Sequence, residues 1–370
     1  MVKSFASEPR RTPYSALAAT DAMLSRMSSG KGLLLVNLGS PQSPEVADVR
    51  RFLREFLSDP RVIDIPGWKR WLILNLFILP FRPKKSAHAY RQIWTDEGSP
   101  LIVYGENLAR KVQQRLGAEV TVELAMRYGE PSIATALDRL AEKGIDQIGV
   151  FPLYPQYSSS TTGSTIEAVC KEATQRWNTP FLQIVPPFYD DPDFIEALAG
   201  RLKATLDVAK HQRVIFSYHG LPERHCRKSD ASGSHCLEKE DCCAAMGKDN
   251  RNCYRAQCFR TTEQLAESLG LSQEQFVVCF QSRFGRDPWI GPHTEDLLDK
   301  LVDDGVEDAV ILSPAFVADC LETVEELGIR GKEQWLAKGG TSLTLAPCLN
   351  DGDNWADALV AIARKHLTWL

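Results

Sequence analysis

An α/β fold of two similar, doubly wound parallel halves is what this 370-residue sequence predicts. Two unbroken apolar runs, Gly32–Gly39 and Arg213–Gly220, end in glycine, as strands buried on both faces of a parallel sheet do. Helical patterns lie between and after them, the alternation of a doubly wound sheet. Landmarks following the two runs recur in the same order. They are Met126-Arg-Tyr-Gly129 then Gly144–Pro152 in the first half, and Ser282-Arg-Phe-Gly285 then Gly305–Pro314 in the second. Duplication would leave a cleft between the halves, where strand C-termini face a shared ligand.

Taken in order, residues 1–30 are rich in Ser and Ala, carry Arg10, Arg11 and Arg26, and contain no long apolar stretch. They read as a disordered leader, not a secretory signal, with a cleaved organelle transit segment as the alternative. After the first strand a helix is expected over Pro44–Phe56, with Ser43 as N-cap and Pro at N1. Next comes an apolar segment, Trp71–Phe81, flanked by Trp68, Lys69, Arg70 and Arg82-Pro-Lys-Lys85. It is too short to span a bilayer, which takes about 20 residues. It reads either as an exposed interfacial lip or as a buried helix ending at Pro80. Further helices are expected over about Pro131–Lys143 and Asp193–Ala209, and another from near Thr261.

Composition is that of an ordinary soluble chain, with 25% charged and 44% apolar residues, which excludes collagenous, disulfide-scaffold and disordered classes. A net charge of −5 gives no electrostatic footprint for nucleic acid. Ten cysteines are the unusual feature, six of them between Cys226 and Cys258. Without an export signal the compartment is expected to be cytoplasmic and reducing, so clustered thiols read as metal ligands. Four thiolates suffice for an iron–sulfur cluster or a structural zinc.

Chemistry-bearing residues sit where the runs end. His219 closes the second apolar run, at the end of a parallel strand where such folds keep function. Gly220 beside it permits close approach of a ligand. Asp319, Glu322 and Glu326 are spaced to form one acidic helical stripe, which would suit relay of a divalent cation. Helix N-terminal acids complementing the dipole are the alternative. The hydroxyl-rich loop Tyr154–Ser164 suits an anionic group or simple capping. Neither it nor Gln281–Pro292 matches a nucleotide-binding fingerprint.

Together these motifs resemble ferrochelatase, the enzyme that inserts ferrous iron into protoporphyrin in the last step of haem synthesis. They are Val36-Asn-Leu-Gly-Ser-Pro41, Met126-Arg-Tyr-Gly129, Tyr154-Pro-Gln-Tyr157 with Ser160-Thr-Thr-Gly163, Ser217-Tyr-His-Gly220, Gln281-Ser-Arg283 with Pro288-Trp-Ile-Gly-Pro292, and Asp319-Cys-Leu-Glu-Thr323. The resemblance covers roughly residues 32–370, apart from the Cys-rich segment. It implies two Rossmann-like domains with a porphyrin cleft between them. The expected bounds are 31–190 for the first, 191–352 for the second with an insertion over 226–258, and a C-terminal helix over 353–370 packing back on the first.

It also implies that His219 and Glu322 are the catalytic pair that handles Fe²⁺, with Asp319 and Glu326 as a metal relay. Leu38, Tyr90, Ser99, Arg127, Tyr128, Tyr154, Ser282 and Trp289 match positions that line the macrocycle or hold its propionates. Leu38 stands where coproporphyrin-preferring members carry tyrosine, so it favours protoporphyrin IX. Cys320 departs from the family, many of whose members have histidine there. The lip at Trp71–Phe81 matches a region that shields the substrate or meets the membrane, which makes peripheral contact with the inner membrane an expectation.

Some members carry a 2Fe–2S cluster. One of its ligands in animal members lies at the position of Ser159, so a cluster here must use other residues. Cys236, Cys242, Cys243 and Cys253 are the expected ligands, with Cys226 and Cys258 at the edges of the segment. A cobalt-inserting tetrapyrrole chelatase and a non-enzymatic haem carrier are the alternatives. The acidic stripe argues against the carrier.

Overall fold

The computed structural model describes residues 30–206, 212–285 and 287–370. The leader expected over 1–30 lies outside the described residues, except for Gly30, which opens the first strand. The first half runs β1 (Gly30–Gly39), α1 (Val46–Ser58), α2 (Gly67–Leu72), α3 (Arg82–Ile93), α4 (Pro100–Leu116), β2 (Val120–Tyr128), α5 (Ile133–Glu142), β3 (Ile145–Pro152), α6 (Ser164–Thr174), β4 (Phe181–Ile184) and α7 (Pro192–Thr205). The second runs β5 (Arg213–His219), α8 (Glu223–Ser229), α9 (Tyr254–Leu269), β6 (Phe276–Gln281), α10 (Thr294–Asp303), β7 (Asp308–Leu312), α11 (Lys332–Lys338), β8 (Ser342–Leu345) and α12 (Asp353–His366). Among the described residues three stretches are π-helical: Ile73–Ile78, Ser159–Gly163 and Leu321–Gly331.

Strand order is β2-β1-β3-β4 in one sheet and β6-β5-β7-β8 in the other, the same permutation twice. All pairs are parallel. Leu33, Leu34, Leu35 and Val36 are all fully buried, which is why β1 reads as a continuous apolar run. Leu33 and Leu35 join Phe216 and Tyr218 of β5 in a core shared by the two sheets and filled by α4, α7, α9 and α12. Leu34 and Val36 face α5 and α6, and Ile215 and Ile311 face α10 and α11. Each sheet is thus covered on both sides. α12 packs against α4 and α7, with Arg115 bridging to Asp353 and Asp357 and Lys365 to Asp191 and Asp193.

Several expected helix bounds shift for local reasons. α1 begins at Val46 with Glu45 as N-cap, because the Ser43 hydroxyl instead accepts from Glu45 N and donates to Asp48. α5 begins at Ile133, capped by Ser132, whose oxygen accepts from Thr135 N. α7 ends at Thr205, and residues 207–209 of the expected stretch lie outside the described residues. α9 begins at Tyr254, well before Thr261, so Cys258 is helical. The lip buries Leu74, Ile78 and Leu79 while Trp68, Trp71, Phe77 and Phe81 are 65%, 61%, 67% and 73% exposed. A wholly buried helix ending at Pro80 is therefore not what forms. Among the described residues no helix is long and apolar enough to cross a membrane.

Candidate active site

The ends of β5, β6 and β7 converge on one polar cluster. His219 is the last residue of β5 and pairs in register with Gln281 of β6. Its Nδ1 lies 2.6 Å from the Gly220 carbonyl oxygen. A carbonyl can only accept, so Nδ1 carries a proton, and in the uncharged tautomer this selects, the lone pair sits on Nε2. The imidazole is half-buried, with the Phe316 ring centre 6.2 Å away. Gly220 is required by close approach: a Cβ there would sit 2.8 Å from Gln281 O and 3.1 Å from Trp289 Cε3. Trp289 therefore lies directly against the turn after His219, and its buried indole N–H has no protein partner.

Glu322 and Glu326 rise from the π-helix Leu321–Gly331. Its wider turn keeps residues four apart near one line, a feature often found at functional sites. Gln281 bonds both ways: its Nε2 donates to Glu322 O at 2.6 Å and its Oε1 accepts from Ser217 Oγ at 2.8 Å. Glu326 accepts from Ser282 N at 2.8 Å and from Ser282 Oγ at 2.5 Å. Both bonds are available because Ser282 adopts φ 65°, a left-handed conformation rare for a non-glycine residue. Burial pushes the Glu326 carboxyl above its usual range and the neighbouring Glu322 adds to this, while Ser282, His219 and Arg330 pull the other way.

Asp319 does not belong to this stripe. It precedes the π-helix, and its carboxylate accepts from Thr323 Oγ1 at 3.0 Å, Cys348 N at 3.3 Å and Asn350 Nδ2 at 2.7 Å. The expected row of three acids is reduced to two, because the helix starts after Cys320 and Asp319 is consumed in pinning that start.

Opposite the π-helix stands α3. Tyr90 is buried, and burial together with the Glu322 charge holds its phenol well above the usual value. Arg82 lies over the Phe284 ring at 4.6 Å and faces both Glu322 and Glu326. Leu38 packs with Tyr90 against Leu321 and Val324. Of the residues expected to line a macrocycle, Leu38, Tyr90, Ser282 and Trp289 thus gather around His219 and Glu322. Ser99 is buried as the N-cap of α4.

Arg127 and Tyr128 form a separate group around Asp59. Arg127 Nη2 is 2.7 Å from Asp59 and its Nε donates to Ser164 Oγ at 2.7 Å. Tyr128 OH and Ser164 Oγ both donate to Asp59 Oδ2, at 2.8 and 2.5 Å. Burial raises the Asp59 carboxyl, but Ser164, the Arg61 N–H, Tyr128 and Arg127 outweigh it, so the net direction is down. Tyr154 is buried beside this group and its phenol feels Arg127. The Phe56 ring, 5.1 Å from that of Tyr128, joins the group to the Tyr90 cluster. Sequence reasoning missed Asp59, Arg82 and Phe316.

All ten cysteines are free thiols. Cys226, Cys236 and Cys243 turn towards Cys253, the N-cap of α9. Cys242 Sγ lies 3.8 Å from Cys243 Sγ and accepts from Leu237 N at 3.4 Å. Arg255 Nη1 donates to Cys243 Sγ at 3.1 Å. Hydrogen bonds from Cys226 and Cys243 pull the Cys253 thiol down, while hydrogen bonding to Cys253 pushes Cys243 up. Cys258 points to Tyr254 and Tyr218 instead. Among the described residues, no three His, Cys, Asp or Glu side chains already surround one point as a metal's ligands.

The ferrochelatase family profile matches residues 30–367. The chain is 49% identical over 337 residues to a ferrochelatase of Ectopseudomonas mendocina, covering 90% of this chain and 97% of the relative. It is 46% identical over 336 residues to one of Coxiella burnetii, covering 91% and 94%. Among solved structures, SirB from Bacillus subtilis with Fe³⁺ shares the fold at a TM-score of 0.52 and 13% identity, over 91% of this chain and 95% of that one.

Proposed function

The chain belongs to the ferrochelatase family, enzymes that insert ferrous iron into a porphyrin in haem synthesis, and from that premise we propose that His219 and Glu322 carry the insertion. The supporting observation is the convergence of an imidazole whose Nδ1 is held by the Gly220 carbonyl and the π-helix carboxylates at one set of strand ends. Insertion exchanges two pyrrole N–H protons for Fe²⁺. His219 Nε2 accepts the pyrrole protons in turn and passes each to solvent, and Glu322 with Glu326 guides the cation inward. Two or three N/O donors in an open site hold iron loosely enough to release it. Leu38, Tyr90, Phe316 and Trp289 supply apolar walls against which protoporphyrin IX is bent, exposing a nitrogen lone pair. Arg127, Tyr128, Tyr154, Ser99 and Ser282 complete the porphyrin contacts in this reading. Asp319 acts by anchoring the π-helix start and not by touching iron.

Anaerobic incubation with Fe²⁺ and protoporphyrin, followed by haem absorbance, tests the proposal. His219→Ala is expected to lose nearly all turnover while still quenching porphyrin fluorescence. Iron insertion retained in that variant would remove the role.

The thiol segment fits a polynuclear cluster on this chain's own chemistry. Backbone N–H and Arg255 donors already point at sulfur, and a cation beside several thiolates offsets their charge. Cys236, Cys242, Cys243 and Cys253 would hold a 2Fe–2S group, with Cys226 the competing donor at Cys253. Since metallation is redox-neutral, the group would supply structure or a one-electron sensor. Visible iron–sulfur absorption in anaerobically purified protein supports this, and stoichiometric zinc without it refutes it. The exposed lip, flanked by Lys69, Arg70, Lys84 and Lys85, suits peripheral contact with the cytoplasmic face of an anionic membrane.

A further inference from the structure

Gln257 on α9 is 2% exposed, and both ends of its amide are used. Its Oε1 accepts from Tyr157 N at 2.6 Å, in the loop after β3. Its Nε2 donates to Arg251 O at 2.7 Å, in the thiol segment. The residue before Arg251 is the brace of that segment. Asn250, 1% exposed, donates to Cys242 O at 2.9 Å and Ala245 O at 2.8 Å, and accepts from Gly247 N at 2.7 Å.

On the other side, Tyr157 adjoins Ser158, which caps the π-turn Ser159–Gly163 by accepting from Thr161 N at 3.1 Å. That turn delivers Ser164 to Arg127 and Asp59. Gln156 adds a second tie, donating to Thr261 Oγ1 of α9 at 3.0 Å. Tyr157, Ser158 and Ser159 also wall a cavity of about 490 Å³, shared with Arg61, His225 and Lys228.

We propose that Gln257 is a positioning residue for porphyrin binding, fastening the Tyr157–Gly163 loop to the thiol segment so that the segment's folding sets the loop's position. The link to porphyrin rests on the reading that Arg127 and Tyr154 contact it. The connection runs by a hydrogen bond from Cys242 O to Asn250, along the chain to Arg251, and by hydrogen bonds from Arg251 O to Gln257 and from Gln257 to Tyr157 N. It needs no metal to exist. Any change of the thiol segment that moves Arg251 O is felt at Tyr157.

The test uses the full chain. Gln257→Leu is expected to raise amide exchange across 157–163 roughly tenfold, from loss of a buried bond. It is expected to weaken protoporphyrin binding about fivefold with kcat within twofold. Asn250→Ala, which cuts the brace and touches neither loop nor substrate, is expected to do the same, and the double variant to be no worse than either. Gln257→Glu keeps the oxygen that accepts from Tyr157 and gives up the donor to Arg251. It should restore loop protection and make it insensitive to Asn250→Ala, and it guards against misfolding of the leucine variant. Unchanged loop exchange in Gln257→Leu, multiplying effects in the double variant, or faster exchange with unchanged porphyrin affinity would each overturn the proposal. Exchange is read without substrate, so absence of iron insertion in the wild type would count against His219 and Glu322, not against Gln257.

Discussion

Ser282→Gly isolates one hydrogen bond at the acid pair. Glycine is the right replacement because φ at 282 is 65°, where a Cβ is strained and its removal is not. The Oγ–Glu326 bond of 2.5 Å is lost while the 2.8 Å bond from the backbone N–H remains. A hydrogen bond to a charged group is worth about 1.5–3 kcal/mol, and one pKa unit corresponds to about 1.36 kcal/mol. Losing it destabilises the ionised carboxylate, so the Glu326 pKa should rise further.

The direction follows from which form is stabilised. Burial already raises this carboxyl, Glu322 raises it further, and Ser282 is the largest influence lowering it. Without the hydroxyl, more of Glu326 is protonated at a given pH, and under the proposed role less negative charge meets the incoming iron. The acid limb of kcat/KM for Fe²⁺ should move to higher pH, and kcat/KM for porphyrin should move less. Stability follows the same linkage. A carboxyl whose folded pKa rises further above its unfolded value makes the native state bind its proton more tightly. The variant's loss of melting temperature should then grow as pH climbs through the folded pKa and fade below the unfolded one. An acid limb that stays put, or moves down, would refute the role of Ser282 in holding Glu326 ionised.

Asp59→Asn leaves Arg127 without its buried anion and should cost about 3–5 kcal/mol. Because the Asp59 pKa is depressed, its contribution is present above the unfolded value and lost as pH falls through the folded one. Melts taken from pH 7 downwards should therefore draw closer to wild type as the pH falls through the folded value. Gly39→Ala places a Cβ 1.8 Å from Tyr128 O at φ 114°, so it should lower the melting temperature and weaken porphyrin binding together, read by calorimetry and fluorescence quenching. Trp71→Ser with Phe77→Ser removes two rings that are 61% and 67% exposed. This pair should abolish cosedimentation with anionic vesicles while haem formation from detergent-dispersed porphyrin persists. Retained vesicle binding would remove the membrane role of the lip.

Both sheets were legible because their strands are buried on two faces, and that burial forces continuous apolar runs such as Leu33–Val36 and Val214–Tyr218. His219 was legible for the same reason, as the polar residue that ends such a run. Helix starts were less so. Ser43 and Ser132 look alike in sequence, yet only Ser132 caps, because the Ser43 hydroxyl is taken by Glu45 N and Asp48. Asp59 was invisible because its partners come from β2 and α6, far along the chain. The same holds for Gln257, whose two contacts are set by tertiary packing and leave no local pattern.

The acidic stripe shows that spacing alone does not fix placement. Asp319, Glu322 and Glu326 fit one face of an α-helix, but the chain forms a π-helix that starts at Leu321. Starting there needs Cys320 as N-cap, Thr323 Oγ1 accepting from Cys320 N at 3.0 Å, and Asp319 holding Thr323 and Asn350. One carboxylate is thereby committed to building the helix that presents the other two. An Asp319→Asn change should then act on Glu322 indirectly, weakening iron insertion in proportion to the loss of π-helix order. If Asp319 instead touched iron, that variant would lose turnover with the π-helix amides still protected. Amide exchange across 321–331 measured beside kcat separates the two outcomes.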